Sequence, residues 1–178
     1  MTTPSIRPAI AADIPAITAI YAQAVLHGTA SWELAPPGEA EMRQRFEVIL
    51  GGGYPYLVAA RSGEVLGYAY AGAYRPRPAY RATVENSIYL APAAQGLGIG
   101  SLLLDALMNA CTQRGFRQMI AVIGDGTGAS IGSRRLHEKA GFRLIGVAEK
   151  VGFKHGRWLD QMLMQKELGE GDRTPPGF

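Results

Sequence analysis

The succession of hydrophobic periods along the chain predicts an α+β domain with a mixed, mostly antiparallel sheet. Three observations lead there. Seven stretches have strand character and four have helical spacing, in the order β-α-α-β-β-β-α-β-α-β-β. Short turns join several of the strands, as antiparallel hairpins require. One β-α-β passage occurs, which is not the repeated βα winding of a doubly wound sheet.

Ser5 to Ile10 reads as the first strand. Asp13 stands at a plausible helix N-cap, Pro15 lies in the first turn, and Ile14, Ile17, Tyr21 and Val25 recur at helical spacing. Gly28 ends this helix, with His27 in a structural role at its end. A loop from Thr29 to Gly38 carries Trp32 and the Pro36-Pro37 pair. The second helix runs from about Glu39 to Leu50, with Met42, Phe46, Ile49 and Leu50 on its apolar side, until Gly51-Gly52-Gly53 stops it. Strands Tyr56–Ala60 and Val65–Ala73 flank the hairpin turn Arg61-Ser62-Gly63-Glu64. The prolines of Tyr74-Arg75-Pro76-Arg77-Pro78-Ala79-Tyr80-Arg81 exclude a central strand there.

The next stretch organises the rest. Val84 to Leu104 reads VENSIYLAPAAQGLGIGSLLL: a strand, a break at Ala91-Pro92, a glycine-rich turn, then a helix from Gly98 to Arg114. Leu102, Leu103, Ala106, Leu107, Ala110 and Cys111 form the expected core face of that helix, and Gly115 caps it. Arg117–Ile123 is the fifth strand. After a loop from Gly124 to Gly128, the fourth helix begins at Ala129 or Ser130 and ends at Ala140-Gly141. Phe142–Val151 and Arg157–Lys166 are the last two strands, joined across Lys154-His155-Gly156. Residues 1–168 read as one domain, and the polar tail from 169 to 178 is expected to fray.

Composition narrows the function. A chain of 178 residues with 47% apolar and 19% charged residues can bury a sizeable core. Net charge is +3 without a long basic run, which does not indicate nucleic acid but suits a small polyanion. The single Cys111 falls on a helix core face and reads as packing. The histidines are scattered without metal spacing, so no metal is expected. No apolar run long enough to span a membrane occurs, nor a basic segment leading into an apolar core, so a cytoplasmic protein is expected.

Gln95-Gly96-Leu97-Gly98-Ile99-Gly100 offers backbone amides at a helix start, where an anion can be held. A Walker loop would need a lysine, which is missing. A dinucleotide loop would need glycine or alanine where Ser101 stands. What remains, Gln-x-x-Gly-x-Gly between a strand ending in Ala-Pro and an amphipathic helix, resembles the acyl-CoA pyrophosphate motif of the GCN5-related N-acetyltransferases (GNAT). The resemblance runs from the first strand to about Leu168. It becomes close for one branch, the phosphinothricin and methionine-sulfoximine N-acetyltransferases. That likeness is carried by Tyr74–Tyr80, Val84–Leu90, Leu136–Phe142, and Gly152-Phe153-Lys154-His155-Gly156-Arg157-Trp158-Leu159-Asp160.

The resemblance implies a GNAT fold with a seven-stranded sheet flanked by about four helices, and acetyl-CoA as co-substrate. It makes Glu85 the general base, since an ammonium has no lone pair and a carboxylate can take its proton. His137 occupies the slot of the group that protonates the departing thiolate. Gln95, Gly96, Leu97, Gly98, Ile99, Gly100 and Ser101 would hold the pyrophosphate. Backbone groups of Ile88, Tyr89 and Leu90 would hold the pantetheine and polarise the thioester carbonyl. Gly126-Thr127-Gly128-Ala129-Ser130 lacks the family's pantetheine-binding asparagine; aligning Gly132-Ser133 with the family's Gly-Ser puts Ser130 in that slot. Arg75, Pro76, Arg77 and Tyr80, with Asn86 and Ser87, are expected around the substrate, the arginines as anchors for its acidic end. Trp32 is expected to close over the substrate, and Lys154 and His155 to lie near its mouth or at a dimer contact.

The expected activity is N-acetylation of the α-amine of phosphinothricin, methionine sulfoximine or methionine sulfone, by direct attack within a ternary complex. The branch further implies a homodimer through the C-terminal strands. A polyamine or aminoglycoside acceptor would ask for an acidic pocket, against which Arg75, Arg77 and Arg81 argue; a peptide acceptor would not. A non-catalytic acyl-CoA sensor would keep the glycine loop and need neither Glu85 nor His137.

Overall fold

The computed structural model describes residues 3–126, 128 and 130–177. Thr127 and Ala129, read above as part of the loop and the start of the fourth helix, lie outside the described residues. The strands are β1 (Ser5–Pro8), β2 (Tyr56–Arg61), β3 (Glu64–Ala73), β4 (Thr83–Leu90), β5 (Gln118–Gly124), β6 (Arg143–Lys154) and β7 (Arg157–Glu167). The helices are α1 (Ile14–His27), α2 (Glu39–Gly51), α3 (Ile99–Gln113) and α4 (Ile131–Lys139), with short 3₁₀ turns at Ala11–Asp13, Pro78–Tyr80 and Pro92–Ala94.

All seven strands form one sheet in the order β1-β2-β3-β4-β5-β7-β6. Every neighbouring pair is antiparallel except β4 and β5. The β2–β3 turn takes positive φ at Ser62 and Gly63, the requirement of a two-residue hairpin loop that follows strand twist. Gly67 lets β3 close on β4: a Cβ there would stand 2.8 Å from the Tyr89 carbonyl oxygen.

The feature that makes the site is the β4–β5 pair. Thr83–Asn86 run beside Gln118–Ala121, and the pairing stops there. Beyond it β4 stays paired with β3 to Leu90, while β5 stays paired with β7 to Gly124. The sheet therefore opens into a wedge between two strands that are each held from the other side.

Apolar cores lie on both faces. Leu103, Leu104, Leu107 and Cys111 of α3 pack on Ala69, Val84, Met119 and Ala121. Ile14, Ile17, Tyr21, Met42 and Phe46 of α1 and α2 pack on Val58, Tyr56 and Tyr68. Burial pushes the Cys111 thiol up to about 12, consistent with a packing role.

Several expectations are corrected. The first strand stops at Pro8 rather than Ile10. Asp13 precedes α1 but makes no side-chain cap to it; its carboxylate instead accepts from the Ile10 amide at 2.8 Å and from the two terminal nitrogens of the Arg7 guanidinium at 2.7 Å. Leu102 is 42% exposed. At about 100° per residue, an apolar arc centred on Leu103, Leu104, Leu107 and Cys111 leaves Leu102 nearly opposite. The tail is tied down: Arg117 donates to Glu170 at 3.1 Å and to the Pro175 carbonyl at 3.4 Å, beside buried Leu168.

Candidate active site

The wedge holds a cleft of about 230 Å³. Its floor is β4 at Glu85, Asn86, Ser87, Ile88 and Tyr89; β5 and β7 wall it with Val122, Gly124 and Gln161; Trp32, Ser130, Ser133 and His137 close it. Alternation along β4 splits its residues between two faces. Val84, Ile88 and Leu90 share the α3 core, and Tyr89 the α1–α2 core. Glu85 and Ser87 thus face the α1–α2 side, and Asn86 the side of α3 and α4.

Glu85 is half-buried, and desolvation lifts its carboxyl above the usual range. A carboxylate so raised holds a proton more readily than an exposed one, as a base must. His137 is 3% exposed. Its Nδ1 lies 2.8 Å from the Ser133 carbonyl oxygen, its Nε2 lies 2.9 Å from Asn86 Nδ2, and Phe142 meets the ring edge-on at 4.9 Å. Burial lowers its pKa, against the smaller opposing pull of the Ser133 carbonyl.

The loop between α1 and α2 is fastened over the cleft. Ser130 Oγ and Thr29 Oγ1 are 3.1 Å apart. Trp32 lies against a glycine of β5 and one of β6, the strands on either side of β7: a Cβ on Gly152 would stand 2.5 Å from the indole, and one on Gly124 would overlap both the indole and the Thr29 carbonyl. Lys154 and His155 are not in the cleft lining; they clamp this loop. Lys154 Nζ, buried, donates to the Ser31 carbonyl at 2.6 Å, and His155 Nε2 lies 3.1 Å from the Gly28 carbonyl. Burial lowers the Lys154 pKa, and Glu33 works in the other direction.

Arg75, Pro76, Arg77 and Tyr80 are not brought to the cleft within this chain. They are exposed on the loop before β4, with the Arg75 guanidinium 5.2 Å from the Tyr74 ring and 6.0 Å from the Tyr80 ring. The glycine turn sits at the far end of β4. Gly96 and Gly98 take φ of +75° and +78°, and none of the described residues stands within 4 Å of where their Cβ atoms would be. The Ile99 and Gly100 amides open α3, ahead of its first ladder bonds from Ser101 and Leu102 to the Gly98 carbonyl. Leu90 packs beneath, against the positions of Gly67 and Gly100. Gln161, Val122 and Gly124 were missed in the sequence. They carry no chemical signature, and only the insertion of β7 between β5 and β6 puts Gln161 opposite Gly124.

A mixed sheet split between its parallel central strands, a carboxylate at the fork and a glycine turn at the end of the same strand define an acyl-transfer type of site. The comparisons agree. A family model described as "Acetyltransferase (GNAT) family" matches residues 21–142. A phosphinothricin N-acetyltransferase of Alcaligenes faecalis is 54% identical over 165 residues, 92% of this chain and 82% of that protein. An L-methionine sulfoximine/L-methionine sulfone acetyltransferase of Pseudomonas paraeruginosa is 44% identical over 172 residues, 96% of this chain and 98% of the other. Among solved structures, a GNAT superfamily phosphinothricin acetyltransferase from Sinorhizobium meliloti in complex with AcCoA superposes with a TM-score of 0.93 at 55% identity, covering 98% of this chain and 94% of that one. This chain belongs to the acetyltransferase (GNAT) family and has its fold.

Proposed function

We propose that the protein transfers acetyl from acetyl-CoA to the α-amine of small amino-acid analogues: phosphinothricin, L-methionine sulfoximine and methionine sulfone. The observation that carries the reading is Glu85, half-buried with its carboxyl lifted by desolvation, at the fork where β4 and β5 part. The names of the relatives supply the acceptor class.

The residues present fit the co-substrate. Open space over Gly96 and Gly98 beside the first amides of α3 suits a pyrophosphate, with Gln95, Leu97, Ile99, Gly100 and Ser101 completing the turn. The unpaired edge of β4 at Ile88, Tyr89 and Leu90 suits an amide-bearing arm, which would lie in the wedge like an added strand beside Ser130 and Ser133. Bound there, acetyl-CoA supplies an activated acyl group. Glu85 takes the amine proton through water, the β4 edge amides polarise the thioester carbonyl, and His137 borders the departing thiol. Trp32, Asn86 and Ser87 position the acceptor, and much of the rate comes from holding both reactants at the fork. Arg75, Arg77 and Tyr80, exposed on the loop before β4 and outside the cleft lining, are proposed as anchors for the acidic end of the acceptor. Such an activity would detoxify the analogues.

We also propose a cytoplasmic homodimer. β6 is an edge strand with Leu144, Ile145, Val147 and Val151 exposed, continued by Phe153 and Trp158 at 58% and 61% exposure. Among the described residues no helix is long and apolar enough to cross a membrane. Light scattering that returns a 19 kDa particle would remove the dimer.

The test of the activity is thiol release from acetyl-CoA with a panel of amines. Turnover of phosphinothricin or methionine sulfoximine, with polyamines and a peptide N-terminus inert, is expected. Turnover confined to polyamine or peptide would replace the acceptor class. Binding of acetyl-CoA without release on any amine would make the chain a sensor.

A further inference from the structure

Asn86 follows Glu85 in the chain but faces the other way, onto α4. Its Nδ2 lies 2.9 Å from Nε2 of His137, and both residues are buried. The far nitrogen, Nδ1, lies 2.8 Å from the Ser133 carbonyl, which can only accept. Nδ1 therefore carries a proton, and the open question is whether Nε2 carries a second.

The two protonation states ask for opposite ends of the carboxamide. A neutral ring is bare at Nε2 and needs the Asn86 N–H; an imidazolium needs the Asn86 oxygen. In either orientation one end of the carboxamide is left over, and the end left without a partner is Oδ1. Among the described residues nothing nearby calls for an imidazolium. The one carboxylate of β4, Glu85, projects to the opposite face, and β5 has no charged residue. On α4, Glu138 is bound to Arg134 at the surface. Asp125, after β5, is taken by Arg157. Phe142 covers the ring edge-on, and burial works toward the uncharged form.

We propose that Asn86 is a positioning residue of the site: its amide N–H holds His137 as the neutral tautomer protonated on Nδ1. His137 so held has no proton on Nε2 to pass to a thiolate. It acts as a fixed, uncharged wall of the cleft; the amine proton goes to Glu85 through water, and the departing thiolate takes its proton from solvent. The kinetic part of this inference rests on the acetyltransferase reading; the tautomer does not.

Long-range proton–nitrogen NMR of the imidazoles tests it. The chain has three histidines, and His137→Gln assigns the signal by its loss. In the parent protein His137 is expected to stay neutral and Nδ1-protonated at neutral pH, and to take a second proton only below the pH at which an ordinary histidine titrates. Asn86→Asp places an acceptor opposite Nε2 and should turn the ring doubly protonated at neutral pH, with kcat about 10-fold lower and little change in the KM for acetyl-CoA. Asn86→Ser, which removes the carboxamide oxygen and keeps a hydroxyl donor, should keep the neutral signal. A parent spectrum with Nε2 protonated at neutral pH overturns the inference, whether or not the variants fold. So does an Asn86→Asp titration identical to the parent's. A neutral His137 in a protein that acetylates no amine would leave this inference standing and remove the proposed function instead.

Discussion

Glu85→Gln separates the base from its surroundings, because glutamine keeps the shape and loses the charge. Burial raises the Glu85 pKa, and no opposing cause accompanies it. Two effects of opposite sign follow. In catalysis the ionised carboxylate is the working form, so kcat/KM of the parent should fall as pH drops through the raised value. Removing a general base costs typically about 10²- to 10⁴-fold, or about 2.7 to 5.5 kcal/mol of barrier. In stability the sign reverses. Protonation of Glu85 is easier in the folded than in the unfolded chain, so its contribution to folding is fully present below the unfolded pKa. It is lost as pH rises through the folded value. At neutral pH the ionised Glu85 therefore opposes the fold. The glutamine variant should melt no lower than the parent, each kcal/mol regained being worth about 2–4 °C at this chain length. Thiol release followed from about pH 5 to about pH 9, with thermal melts at both ends, reads both effects. An unchanged kcat/KM throughout would refute the base. A large fall in activity together with a Tm several degrees lower would refute the reasoning differently, by making Glu85 a structural residue.

Other expectations follow from the loop and the N-terminal turn. Gly152→Ala would put a Cβ 2.5 Å from the Trp32 indole, so the ring must move: an overpacking cost of about 1–3 kcal/mol and a higher acceptor KM are expected, and unaltered Trp32 fluorescence in a Trp158→Phe background would contradict this. Lys154→Met keeps the buried stem but leaves the Ser31 carbonyl without its donor. A loss of about 1–3 kcal/mol in urea unfolding is expected, and an unchanged midpoint would show that the clamp is idle. Hydrogen bonds from Arg7 hold the Asp13 carboxyl below its ordinary value of 3.8. Its stabilisation is thus present above that value and lost as pH falls through the lowered one. Asp13→Asn should flatten the acid arm of the stability curve and lower the neutral plateau; a curve parallel to the parent's would sink this assignment.

What could be read in the sequence was what local rules decide. The seven strands and four helices follow from period and from glycine and proline punctuation. The glycine turn was legible because positive φ at Gly96 and Gly98 is a backbone demand that few residues meet. Adjacency was harder. β6 follows β5 through α4, yet β7 is the strand that pairs with β5, and the choice is made by long-range packing. Gln161 could not be assigned to the cleft without it. Charge misled in both directions. Arg75 and Arg77 have the residue types of an anchor but sit exposed, Arg75 beside two tyrosine rings. Lys154, expected near the substrate mouth or at a dimer contact, is instead buried against the loop, where the Ser31 carbonyl takes its ammonium. Asp13 illustrates a third case: the residue type was right for a cap, but a neighbouring guanidinium and the Ile10 amide supply better partners.

The position of the site follows from a conflict between two pairings. β4 is bound along its length to β3, β5 along its length to β7, and the two share only the Thr83–Asn86 register. The last shared residues, Glu85 and Asn86, are thus held on both sides by ladders, while the next residues have a free edge. A carboxylate at that point is rigid enough to aim and close enough to the opening to meet a ligand. Strand alternation then sends Glu85 toward the α1–α2 loop and Asn86 toward His137 on α4. A one-residue slip of β4 would exchange them, placing the base on the α4 side and the carboxamide under Trp32. The register of β4 is therefore as much a part of the chemistry as the residues are. Val84 and Tyr89, each committed to a different core, resist the slip that would undo it.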